Sequence, residues 1–264
     1  MSRALVIAAL ALAGLAAPAS AQLNVNRRAD LALPVLLGPG QGAIVVGFRR
    51  PDRLSAGKSA AVAFTRYDVE ARDLILQPRH ARRDGNTNTY NVLAKSGDRN
   101  LPLDHAVMVV SSGDYVLYGA TPGPTKQVDN TFCLGTATFR VNPGEVVYFG
   151  DITPYMLVEM EDGRRANAMA YSSHPDDARQ ALAGRPELAA AFRPAEIRNG
   201  ATYGCVAQAM LAYAVPGAPF LPPPVPGAAE TSGTPAGAPP DPGNAPPDPE
   251  PEPEAALPQS GRSR

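Results

Sequence analysis

Few side chains in this chain are equipped for chemistry, and their spacing narrows what that chemistry could be. Cys133 and Cys205 are its two cysteines, and His80, His105 and His174 its three histidines. A thiolate nucleophile needs a base beside it, but none of the histidines sits with Cys133 in a recognisable nucleophile motif. Two cysteines in a chain that begins like an exported protein are expected to pair as a structural disulfide. Such a link over this loop contributes on the order of 4 kcal/mol in the chain-entropy picture. There is no Cys-x-x-Cys, His-x-His or His-Glu-x-x-His, so no metal ligand set and no cofactor is indicated. Asp151 and Glu145 form one tempting carboxylate pair, because two carboxyl groups a few ångströms apart can act as acid and base in a hydrolase. The same residues are also ordinary strand-end groups. The serines of Ser112-Gly113 and Ser172-Ser173 lack the Gly-x-Ser-x-Gly elbow. Ala56-Gly57-Lys58-Ser59 looks like half a phosphate loop, yet Asp52 stands where the first glycine would be needed.

The elements that must position these groups are mostly strands. Thr131–Ile152 reads as two runs rich in β-branched and aromatic residues, joined at Asn142-Pro143-Gly144-Glu145. Pro presets φ for one turn position and Gly supplies the positive φ of the next, which predicts a hairpin. A second hairpin is expected from His105–Val110 and Tyr115–Gly119 around Ser111-Ser112-Gly113-Asp114. A third is expected from Tyr155–Met160 and Ala166–Tyr171 with Asp-Gly at the bend. Further strands are expected at Ala43–Phe48, after the Gly-rich turn 38–42, and at Ala60–Val69, Asp73–Gln77, Tyr90–Ala94 and Asn199–Ala207. No helix follows the Gly-rich turn, so it does not cradle a nucleotide. Helix is expected only late. Ser172-Ser173-His174-Pro175-Asp176-Asp177 combines hydroxyl caps, an early Pro and first-turn acids, with Gly184 as the stop, and Pro186–Phe192 repeats the pattern. The expected fold is mainly β, an antiparallel β-sandwich with one or two short C-terminal helices capping an edge or end.

The ends of the chain differ from its middle. Arg3 precedes an apolar run, Ala4–Ala17, that closes on Ala19-Ser20-Ala21, the signature of a secretory signal peptide over 1–21. The run is too short to span a bilayer comfortably, and no later stretch is a transmembrane candidate. From Pro216 the composition collapses to Pro, Gly, Ala and acids, which predicts a disordered tail over 216–264. That leaves 22–215 as one β domain. A formal net charge of −1 with interspersed Arg gives no field to attract nucleic acid or an anionic membrane. With Trp 0 and aromatics at 6%, there is little material for base or sugar stacking. The arginines of the loop 78–88 read as solvated surface.

Gly113-Asp114-Tyr115-Val116-Leu117-Tyr118, followed by Phe139-Arg140-Val141-Asn142-Pro143-Gly144-Glu145-Val146-Val147-Tyr148-Phe149-Gly150-Asp151-Ile152, resembles a pattern found in uncharacterised envelope proteins of Gram-negative bacteria. It is similar to the small β-sandwich domains related to the DUF2846 group, over roughly residues 105–152. The resemblance rests on turn and core positions, carries over no active site, and departs from lipoprotein members in lacking a lipidation cysteine. It implies a periplasmic or secreted β-sandwich. The expected function is non-catalytic binding or scaffolding of an envelope protein or cell-surface component, with a periplasmic hydrolase near Asp151 and Glu145 as the alternative.

Overall fold

The computed structural model describes residues 28–81, 83–123, 130–159, 163, 165–205 and 210–223. The expected signal peptide, Arg82 of the basic loop, the bend of the third hairpin apart from Gly163, Val206 and Ala207, and the tail from 224 onward lie outside them. The chain divides into Met1–Pro223 and Pro224–Arg264, and every strand and helix described belongs to the first unit. Its strands, in chain order, are β1 Gln41–Arg49, β2 Ala60–Asp68, β3 Asp73–Leu74, β4 Asn91–Lys95, β5 Leu103–Ser111, β6 Gly113–Pro122 and β7 Asn130–Thr131. After these come β8 Thr136–Val141, β9 Val146–Glu159, β10 Arg165–Ser172, helices α1 Pro175–Ala181 and α2 Pro186–Ala190, then β11 Phe192–Pro194 and β12 Arg198–Ala201.

The fold is mainly β, with two sheets packed face to face. One sheet runs β10-β9-β1-β5, with β11 also on β9; the other runs β12-β8-β6-β2-β3, with β4 on β2 and β7 on β6. The first sheet is mixed, because both β1 and β11 lie parallel to β9. Between the sheets sits the main core, built from Ile44, Val46 and Phe48 of β1, Val62 and Phe64 of β2, and Phe139, Phe149 and Ile152. Phe64 meets Phe139 and Phe149 edge-on at centroid distances of 5.4 and 4.9 Å, a preferred aromatic geometry. Strand β1 is buried along eight of its nine residues because both of its faces are covered, which explains its nearly continuous apolar run. Its outward residues Ala43 and Val45 join Tyr148, Ala178, Leu182, Leu188 and Phe192 in a second cluster, so the helices cover a face of the first sheet rather than an edge. A third cluster on the outer face of the other sheet contains Tyr67, Val116, Tyr203 and Cys133.

Two of the three expected hairpins are corners between the sheets. β5 and β6 meet at Ser112 but pair with β1 and β2 respectively, and β8 and β9 meet at 142–145 but belong to different sheets. The turn chemistry itself is as expected: Gly144 has φ +77°, and the Glu145 N–H donates to Asn142 O at 3.2 Å. Such chemistry reverses a chain locally without choosing its ladder partner. Here Gly144 N donates to Gln41 O at 2.6 Å and β9 continues parallel to β1 from Ala43 opposite Val146, so β1 takes the place of the hairpin partner. The third hairpin, β9 with β10, forms antiparallel, from Arg165 opposite Glu159 to Ser172 opposite Asp151.

The folded unit also runs past the expected limit at 215. Asn199, buried within β12, donates through Nδ2 to Val215 O at 2.9 Å and Ala218 O at 3.0 Å. Its Oδ1 accepts from Val215 N at 2.9 Å, and its backbone bridges Phe220. Pro216 therefore opens a segment that is held through backbone hydrogen bonds, which composition does not register. Cys133 and Cys205 form a disulfide with Cα atoms 6.2 Å apart. Among the described residues no helix is long and apolar enough to cross a membrane.

Candidate functional site

Asp151 is the centre of the densest polar cluster. Strict strand alternation would put it on the opposite face from Tyr148, three residues earlier. A bulge intervenes: Val45 opposes Tyr148 while Val46 opposes Gly150, so one extra residue lies in β9 and Tyr148 and Asp151 share the outer face. Across the sheet Asp151 lies in line with Gly47 of β1, His105 of β5 and Ser172 of β10. Gly47 is required there, since a Cβ at that position would collide with Asp151 Oδ1.

The Asp151 carboxylate is fully buried. Oδ1 accepts from the Tyr148 hydroxyl at 2.6 Å; Oδ2 accepts from Arg49 Nε at 2.8 Å and from His174 Nδ1 at 2.8 Å. A carboxylate only accepts, so Nδ1 carries the hydrogen and the ring tautomer follows. The Tyr148 oxygen in turn accepts the His174 backbone N–H at 3.0 Å, and Arg49 reaches on to Asp177 Oδ2 at 2.5 Å in the first turn of α1. His174 is the N-cap of α1 and makes no side-chain cap bond, so the expected hydroxyl caps are replaced by this tether. The arginine hydrogen bond holds the Asp177 carboxyl below the usual range. Burial, reinforced by the hydrogen bond to Asp151, pushes the Tyr148 phenol well up. His105 is pushed down, first by burial, although the Asp151 and Asp104 carboxylates act in the opposite direction.

A buried Asp on the Nδ1 of a half-exposed His is the pair that orients a general base. Four cavities of about 680, 540, 530 and 510 Å³ are lined by other residues than Asp151, Arg49 and His174. Ser172 Oγ is buried and makes no hydrogen bond to the His174 ring. The arrangement fixes α1 and the chain leading into it against the sheet.

Glu145 is elsewhere. It precedes β9 at the corner, where its carboxylate accepts from Asn142 N at 3.0 Å and Arg193 at 2.5 Å. Six residues of extended chain, about 20 Å of strand, separate it from Asp151, and the two share no partner. They do not form an acid–base pair. The half phosphate loop is also filled: Asp52 Oδ1 accepts the backbone N–H groups of Leu54 and Ser55 at 2.9 and 3.0 Å, donors that a phosphate would need. His80 is in the exposed loop, apart from the other two histidines. Among the described residues no group of three or more metal-ligating side chains occurs.

Sequence reasoning does not reach Arg49, Tyr148 and His174 as partners of Asp151. The one usable signal is Gly150 in an otherwise apolar strand, which marks a bulge and so a change of face. No family profile, no curated protein and no solved structure matches this chain.

Proposed function

We propose that this chain is an exported, envelope-associated β-sandwich that binds or scaffolds rather than catalyses. The observation that carries this is the state of Asp151: its acceptor positions are taken by Arg49, His174 and Tyr148, and it lines none of the four cavities. In an Asp–His pair the histidine is the base that must reach a reacting atom, and His174 lines none of these four cavities either. The disulfide is compatible with an oxidising compartment, and the secretory start of the sequence points the same way. The resemblance of residues 105–152 to uncharacterised envelope β-sandwich domains of Gram-negative bacteria supports this assignment, and the partner proposed is an envelope protein or cell-surface component.

Affinity capture from the envelope fraction of the native host, with the full chain and with a chain ending at Pro223, tests it. Partners retained by both forms are expected and would place recognition on the β domain; no partner with either form would overturn the binding role. A hydrolase is the second reading, favoured by the Asp151–His174 pair alone. In that case His174→Ala would abolish turnover of a screened ester or glycoside substrate while leaving the fold intact.

A further inference from the structure

We infer that the helical layer, residues 173–190, is released by acid: protonation of His105 lifts α1 and α2 off the first sheet and bares an apolar face, while the core between the sheets stays closed. The layer is an excursion from β9 and back to it. Ser172 pairs opposite Asp151 and Phe192 opposite Val146, so lifting the helices breaks no strand ladder. Helices of seven and five residues are not stable by themselves in water, and neither has a side-chain cap. They are held by Ala178, Leu182 and Leu188 in one cluster with Val45, Val107 and Tyr148, and by the tethers around Asp151. A unit attached in this way opens at lower cost than the whole molecule unfolds.

His105 lies on the face that this layer covers, two residues before Val107 of the same cluster. It stands in one row with Gly47, Asp151 and Ser172. Its Nε2 is closed off from solvent and has no hydrogen-bond partner among the described residues. The ring shares the cavity of about 540 Å³ with Ala181 of α1 and with Arg28 and Asp30, which precede β1.

The charged and titratable groups packed around the ring are committed elsewhere. Arg28 pairs with Asp104, Arg49 with Asp151 and Asp177, and Asp30 accepts the Ala32 N–H. Tyr148 and His174 donate to Asp151. None of these bonds reaches the ring, so a proton added to it in the closed form meets no hydrogen-bond acceptor. Burial accordingly holds His105 below its ordinary range, against the pull of Asp151 and Asp104. Lifting the layer takes Asp177 and Ala181 away and lets water reach the ring.

The open form takes up its proton near the ordinary value of about 6.5 and the closed form only at lower pH. Opening is therefore favoured as pH falls through about 6.5 and levels off below the closed-form value. Between pH 7.5 and 5.0 it rises by at most about thirtyfold, the limit set by the open-form value.

Hydrogen exchange of the full chain, read by mass spectrometry at both pH values and expressed as protection factors, tests this. Protection of 175–190 is expected to fall in acid while β2, β6 and β8 keep theirs. In the wild type the His105 ring resonances should titrate together with that fall. His105→Gln and His105→Asn, checked for folding by melting at pH 7.5, are expected to abolish it. His174→Gln, which keeps a donor for Asp151, is expected to retain it. Helices whose protection ignores pH, a loss spread evenly over both sheets, or a His105 ring that titrates without the fall would overturn the inference. So would an unchanged fall in the folded His105 variants, or its disappearance in His174→Gln. The envelope-partner proposal does not depend on the outcome, because affinity capture tests that separately.

Discussion

Replacing Asp151 with Ala should detach α1 from the first sheet, at a cost that can be worked from the contacts. Three bonds are lost, from Arg49, His174 and Tyr148. Hydrogen bonds to a charged group contribute about 1.5–3 kcal/mol each, but the donors differ in what replaces them. The Arg49 and His174 side chains are 23% and 42% exposed, so water recovers part of their loss, and Arg49 keeps Asp177. The Tyr148 hydroxyl is buried and loses its acceptor outright. The sum is about 3–5 kcal/mol, the range seen when one member of a buried pair is removed. For a folded unit of this size each kcal/mol lowers Tm by about 2–4 °C, so a fall of about 6–20 °C is expected. Asp151→Asn keeps the shape and one acceptor and should cost roughly half as much. In a double-mutant cycle with Arg49→Gln, the two changes should fall short of additivity, since each removes the same ion pair. Thermal unfolding followed by near-UV circular dichroism, with urea titration as a check, measures the wild type and the four variants. A fall below about 2 °C for Asp151→Ala, or strict additivity in the cycle, would refute the view that this cluster holds the helix down.

Reduction of Cys133–Cys205 and the variant Cys133→Ser should lower stability alike, by about 4 kcal/mol; equal melting with and without reductant would remove the staple from the account. Asn199→Ala strips the Val215 and Ala218 backbone groups of a buried partner and should cost about 2–4 kcal/mol. It should also speed proteolysis within 215–221, and an unchanged cleavage rate would refute the clamp. His105 has a folded pKa below its unfolded value near 6.5, so the unfolded state takes up the proton first. Stability should therefore decline as pH falls through about 6.5 and level off below the folded pKa. His105→Gln should flatten that limb, and an identical pH profile in the variant would exclude His105 as its source. The Asp177 and Glu145 contributions have the carboxylate sign: both pKa values are depressed, so their stabilisation is present above about 4 and disappears in stronger acid.

The elements are legible where local chemistry decides them. The apolar run of β1, the turn at Gly144 and the Pro-led helices α1 and α2 all follow from residues a few positions apart. Partner choice is not legible, because it is settled between distant segments: the Asn142–Glu145 turn has good hairpin chemistry, yet β1, about a hundred residues earlier, takes the ladder. The site stays hidden for a related reason. Asp151 is visible as a carboxylate at a strand end, but its partners Arg49 and His174 come from β1 and the entry to α1, and the bulge at Gly150 inverts the face that alternation assigns. Glu145, nearer in sequence, belongs to a different corner. The extent of the folded unit escapes composition because Pro216–Pro219 is retained by the side chain and backbone of Asn199, a residue outside the segment.

The two corners that pass the chain from one sheet to the other also constrain how the molecule can come into being. Because β5 and β6, and again β8 and β9, separate into opposite layers, neither layer can be completed from one contiguous stretch. β1 must wait for β5 and for β9, which emerges about a hundred residues later, before its hydrogen bonds close. Topologies dominated by such distant pairings fold slowly, on the millisecond-to-second scale. The second sheet is less constrained: its ladders among β2, β3, β4, β6, β7 and β8 all lie before β9 and wait only for β12, so that layer should assemble ahead of the one built on β1.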